Sequence, residues 1–176
     1  MTPPRPPVTL PLYYDYAQSP LKVVATPEGG LRAYKLNSFT GRFDVHNSAL
    51  IRIKLSRSGD EVFASDEDEF IESTEAHRSL DLRGDGPIFT VYQLRRSMTA
   101  AFKVLDEWTQ QPLLTAIPYL YRWTFRMWEE EFARQDAGEP PSFHYEPSAP
   151  PEVVERLNKP DPTPDLAPLQ AVHFLR

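Results

Sequence analysis

Nineteen prolines stand in this 176-residue chain, and sixteen of them fall in Met1–Pro27 and Gly138–Arg176. Proline fixes φ and removes a backbone donor, so both ends are barred from helix interiors and central strands and read as extended arms. The middle carries the regular structure. With 40% hydrophobic and 12% aromatic residues overall, the chain can bury one core of roughly 100 to 130 residues. The organisation expected is an N-terminal arm over 1–20, a single α+β domain over 21–136 and a C-terminal arm over 137–176.

Charge and residue usage narrow the function. A net charge of −6 opposes binding to a phosphate backbone, which calls for Lys and Arg gathered on one face, so nucleic acid is not an expected partner. With no cysteine, disulfides, thiolate nucleophiles, zinc ribbons and iron–sulfur ligation are out of reach. The N-terminal stretch lacks an apolar secretory segment and an Arg/Ser-rich amphipathic helix. Leu113–Tyr121, the longest apolar run, is broken by Pro118 and followed by Arg122 and Arg126. It falls short of the about 20 residues needed to span a bilayer, so no transmembrane segment is expected.

Along the chain, residues 1–20 read as polyproline-like and end in an aromatic knot, Tyr13, Tyr14 and Tyr16. These three tyrosines are expected as anchors, packed on the domain or on a partner. Leu21–Thr26 and Leu31–Leu36 flank Gly29 and Gly30 and read as a hairpin. A second hairpin is expected from the alternation of Ile51, Ile53 and Leu55 with Arg52 and Lys54, a turn over Arg57–Asp60 and a return strand from Glu61. Ser65–Glu75 holds six carboxylates in eleven residues and reads as a solvated loop or helix start. It could meet a basic partner surface, and the Gly and Glu positions that an EF-hand loop requires are missing, which argues against calcium. Ile88–Leu94, rich in β-branched and aromatic residues, is expected to complete a sheet of about five antiparallel strands: two hairpins plus one strand.

Two C-terminal amphipathic helices are expected to cover that sheet. The first starts at Ser97 and presents Met98, Ala101, Phe102, Leu105 and Trp108 to the core. Pro112 ends it, and the second begins at Pro118 and runs to about Gln135. On the second, Tyr121, Phe125, Trp128 and Phe132 align, with Trp123 and Met127 widening the apolar face beyond one sheet contact. Its charges, Arg122 and Arg126 early and Glu129–Glu131 late, oppose the helix macrodipole, which points to partners outside the helix. Tyr121, Trp128 and Phe132 are therefore candidate partner contacts. So is Phe174 in the apolar terminal segment, an expected docking element.

No catalytic or cofactor pattern accompanies this framework. His46, His77, His144 and His173 are isolated. The seven glycines form neither a nucleophile elbow nor a phosphate loop. Asp44, Asp81 and Asp85 stand near predicted strand ends, where a fold could assemble a carboxylate pair. The Arg83-Gly84-Asp85 tripeptide has an ordinary turn explanation. No metal or cofactor is expected.

Leu120-Tyr121-Arg122, with Phe132 downstream, resembles the signature of the LYR-motif proteins, small helical accessory and assembly factors of mitochondrial complexes. That family carries the tripeptide near its N-terminus, at the start of a three-helix bundle. Here it follows a predicted β domain, so the resemblance implies neither fold nor partner. The function expected is a non-catalytic accessory or scaffold subunit, binding other protein subunits of a large assembly through the arms and the aromatic helix face. An organellar bioenergetic membrane complex, met peripherally, is the first choice of assembly and a virion the second. The competing class is a small β-rich enzyme or ligand-binding domain whose site forms only in three dimensions.

Overall fold

A computed structural model describes residues 8–55 and 61–175. Residues 1–7, where the polyproline-like stretch is expected to begin, and the turn expected over Arg57–Asp60 lie outside the described residues. Among the described residues the fold is α+β, with a five-stranded antiparallel sheet and six helices. Contacts divide it into two compact units. The first holds the described residues of 1–36, 43–70 and 160–176, and the second holds 37–42 and 71–159.

In the first unit, β1 (Leu12–Tyr16), β2 (Pro20–Ala25), β3 (Leu31–Leu36), β4 (Phe43–Val45) and β5 (Val62–Ser65) form one sheet in the order β4-β3-β2-β1-β5. Period-2 alternation sets its faces. Leu21, Val23, Leu31 and Ala33 are fully buried against Ala49 and Leu50 of α1 (Ser48–Leu55) and Ala171 of α6 (Pro168–Phe174). The expected β2–β3 hairpin is present, closed by Thr26 N–H donating to the Gly30 carbonyl at 3.0 Å. Gly30 serves a second purpose, because a Cβ there would lie 2.1 Å from the Leu166 carbonyl oxygen. Only glycine lets residue 166 pair with Leu31, through two backbone bonds of 3.0 and 2.9 Å.

Several expectations are corrected in this unit. Leu12–Tyr16 is a central strand rather than the end of a polyproline stretch, because Ala17 and Gln18, both at positive φ, turn it back onto β2. Ile51–Leu55 is helix, not strand. Leu50 and Ile53 face the sheet at helical spacing while Ile51 and Leu55 are exposed. Its first turn is capped from far away, by Asp161 accepting from Ser48 N–H at 2.8 Å. The acidic run is a helix start, α2 (Glu67–Asp81), opened by reciprocal bonds between Asp66 and Glu69.

The second unit pairs β6 (Leu82–Gly84) with β7 (Tyr145–Pro147) beside α3 (Pro87–Phe102) and α4 (Glu107–Asp136), and includes α5 (Pro151–Leu157). Ile88–Leu94 belongs to α3, not to a strand: Ile88, Val91, Tyr92 and Arg95 are buried at i, i+3, i+4 and i+7. The short apolar run has the composition of a strand, but Pro87 at the start and the buried period make it a helix. Ser97 accordingly lies inside α3 and caps nothing. The next helix starts earlier than expected, capped by Asp106, which accepts from Thr109 N–H at 2.9 Å. Pro112 and Pro118 both lie within it. Trp108 is therefore in the first turn of α4 and is 89% exposed, the reverse of the core position expected.

Candidate interaction surface

The partner residues proposed from sequence divide between burial and partial exposure. Trp128 (0% exposed) and Phe132 (6%) are core in the second unit, their rings stacked at 5.2 Å, with Tyr145 edge-on to Trp128 at 5.0 Å. The proline-rich segment after Gly138 supplies both Phe143 and Tyr145 to this cluster. Gly86 makes room for it, since a Cβ there would stand 2.3 Å from the Phe143 ring. Tyr121 is half-buried, with the Arg95 guanidinium 4.2 Å from its ring centre. Burial pushes its phenol above the ordinary range.

Beneath α4 lies a saturated polar network. Glu75, fully buried, accepts from Arg78 Nη1 at 2.9 Å and from the Tyr92 hydroxyl at 2.7 Å. Trp128 Nε1 donates to Tyr92 at 2.7 Å, and Arg78 also donates to the Gly41 carbonyl and to Glu129. Burial and Glu75 together push the Tyr92 phenol well up. Each strong acceptor here is already engaged, so the cluster holds α2, α3 and α4 together rather than offering a reactive group. The fully buried Glu75 departs from the expectation that the acidic run is solvated. Arg95 Nη1 is buried with no hydrogen-bond partner among the described residues, and its guanidinium lies over the Tyr92 and Tyr121 rings.

In the first unit the Tyr13 ring lies tilted against Phe70, centres 4.5 Å apart, and its hydroxyl donates to Glu67 at 3.3 Å. Tyr16 is buried, edge-on to His46. Tyr14 and Phe174 come together at an apolar recess of about 350 Å³ with Leu12, Ile53 and Leu175. Phe174 also borders a second recess of about 270 Å³ between α1 and α6, lined by Leu50, Ile51, Leu55 and Leu166. Lys54 at its rim donates to the His173 carbonyl. The C-terminal residues are fastened by polar bonds: Arg32 grips Asp165 through Nε at 2.8 Å and Nη2 at 2.5 Å, and Asn47 bonds Asp165 at 3.0 Å.

The surface that sequence reasoning reached only in part, through Trp123, Arg122 and Arg126 but without Trp108, Pro112, Thr115 and Tyr119, is the outward side of α4. Trp108, Pro112, Thr115, Tyr119, the adjacent Arg122 and Trp123, and Arg126 follow at helical spacing and all are exposed, with Tyr119 at 57% and Trp123 at 41%. Because proline has no N–H, the carbonyls of Trp108 and Leu114 lack the amide four residues on. The signal was available: continuing the period back through Pro112 joins Trp108 to Tyr119. Stopping the helix at Pro112 hid it.

Asp44 lies in β4, and Asp85 N–H and the Asp81 carbonyl are tied to the end of the antiparallel β6–β7 pair through His144 and Ser148. Arg83 pairs with Glu146 across the same strand pair. Among the described residues no group of three or more His, Asp or Glu is placed to hold a metal, and no helix is long and apolar enough to cross a membrane. Compared with known proteins, the chain matches no family model, no curated protein and no solved structure.

Proposed function

We propose that the protein is a non-catalytic subunit of a multiprotein assembly and that a neighbouring protein subunit is bound along the outward stripe of α4. The exposure of Trp108, at 89%, carries this reading. A tryptophan brings about 200 Å² of mostly apolar surface, and aligned with Tyr119 and Trp123 it forms the aromatic and arginine mixture enriched at interface centres. The C-terminal residues bond within the first unit, Asp161 to the start of α1 and Asp165 and Leu166 to β3. That use makes α4, rather than the arms, the surface with area to offer.

The test is purification of the tagged protein from its native source, as wild type and as W108A/W123A, with mass spectrometry of co-migrating proteins and thermal unfolding of each. The expected result is a neighbour lost from a variant that still unfolds in one cooperative transition. The same neighbours recovered at the same yield from both proteins would remove the proposal.

A further inference from the structure

We infer that the subunit bound on α4 is a second copy of this chain, paired antiparallel along the same stripe about a two-fold axis; this rests on the reading of α4 as an interaction face. The stripe is self-complementary in one antiparallel register. Setting Trp108 opposite Arg126 of the second copy also sets Gln111 opposite Trp123, Pro112 opposite Arg122 and Thr115 opposite Tyr119. Every one of these residues is exposed. In each pair a large side chain meets a smaller or flexible one, which is how facing helices interdigitate, and Arg126 over Trp108 is a cation–π pair made twice.

Charge selects the direction. Asp106 and Glu107 open the helix, whereas Arg122 and Arg126 come about four and five turns later. Antiparallel pairing brings Asp106 and Glu107 of one copy toward the arginines that close the stripe of the other, just before Glu129–Glu131, at both ends of the contact. Parallel pairing would stack Arg126 on Arg126. The stretch from Trp108 to Arg126 is about 27 Å long. At exposures of 89%, 57% and 41% for its three aromatics, these alone contribute roughly 300 to 450 Å² per copy, about half of what a stable interface buries on each partner. An isologous contact of this kind closes after two copies, so the product is a dimer and not a filament.

Light scattering on the full-length protein after size exclusion tests this. Wild type is expected at twice the chain mass of 20.2 kDa. W108A and R126E each raise the dimer Kd by on the order of 30-fold, the loss typical of an interface anchor, with unchanged circular dichroism. The exchange W108R/R126W re-forms the same cation–π pair across the axis and restores the dimer, which a structural role for Arg126 alone does not predict. Monomeric wild type at high micromolar concentration, or a dimer indifferent to both substitutions, overturns the inference. If wild type is monomeric and W108A still loses its native neighbour, the second-copy assignment falls while the interaction face stands. If W108A changes neither mass nor neighbours, both fall.

Discussion

The indole N–H of Trp128 donates to the hydroxyl of Tyr92 across 2.7 Å, with both side chains buried. The same hydroxyl donates to Glu75, so one oxygen satisfies two buried groups on two other helices. Replacing Tyr92 by Phe keeps the ring and strips both partners, and stability should fall by about 1 to 3 kcal/mol. Urea unfolding of Y92F beside wild type checks this; an unchanged midpoint and slope would mean that the network contributes nothing.

Two tryptophans on α4 should behave oppositely. W128A opens a cavity in the aromatic cluster and is expected to cost about 3 to 5 kcal/mol. W108A, at a position 89% exposed, should stay within about 0.5 kcal/mol of wild type when both are unfolded at concentrations below the dimer Kd, where no subunit contact contributes. Equal losses in urea unfolding of the isolated protein would contradict the helix register described above.

The β1–β2 turn holds Ala17 at φ 49° and Gln18 at φ 59°, a conformation that suits Asn-Gly and strains residues with a Cβ. Gln18→Gly should therefore raise stability by about 1 kcal/mol, visible as a higher melting temperature. A lower one would mean that the Gln18 side chain contributes more than its backbone strain costs.

Acid should loosen the C-terminal seat. Burial pushes the Asp161 carboxyl upward, but bonds from Thr163 and Ser48 outweigh it and hold the group well below its ordinary 3.8. Arg32 and Asn47 hold Asp165 down as well. A carboxylate with a depressed folded-state pKa contributes its full stability above the unfolded value and loses it as pH falls from there toward the folded one. His46, lowered by burial and by Lys35 against the pull of Asp161, adds to the loss on the acid side of 6.5, because the unfolded chain protonates first. D161N should show a shallower stability loss than wild type below about pH 4, followed by denaturation across a pH series. Parallel curves would show that Asp161 is not the group responsible.

How much of this was legible depends on where each element finds its partners. The β2–β3 hairpin carries its own instructions, alternation on both sides of Gly29 and Gly30, and it is found as read. α1 does not: its cap is Asp161, more than a hundred residues away, and its alternating Ile51, Ile53 and Leu55 fit a strand equally well until the sheet face that takes Leu50 and Ile53 is known. Ile88–Leu94 misled for a related reason, since β-branched and aromatic residues also fill a buried helix. The proline-rich C-terminal segment gave no periodic signal because it is held by side-chain bonds, Arg32 to Asp165 and Ser48 N–H to Asp161, and by single aromatic insertions such as Phe143 and Tyr145. On α4 the excess of aromatics was visible, but which of them faced inward turned on one boundary. Carrying the helix through Pro112 moves Trp108 outward and leaves Trp128 and Phe132 to the core.

The most direct test of α4 as the interaction face places a photo-reactive benzoyl-phenylalanine at position 108 in the full chain, irradiated in the native cell. Leu80, equally apolar and 74% exposed on α2, serves as the control position. A discrete covalent adduct at 108, absent at 80, is the predicted result. No adduct at 108 under conditions where the assembly is intact, or adducts of the same pattern at both positions, would contradict it.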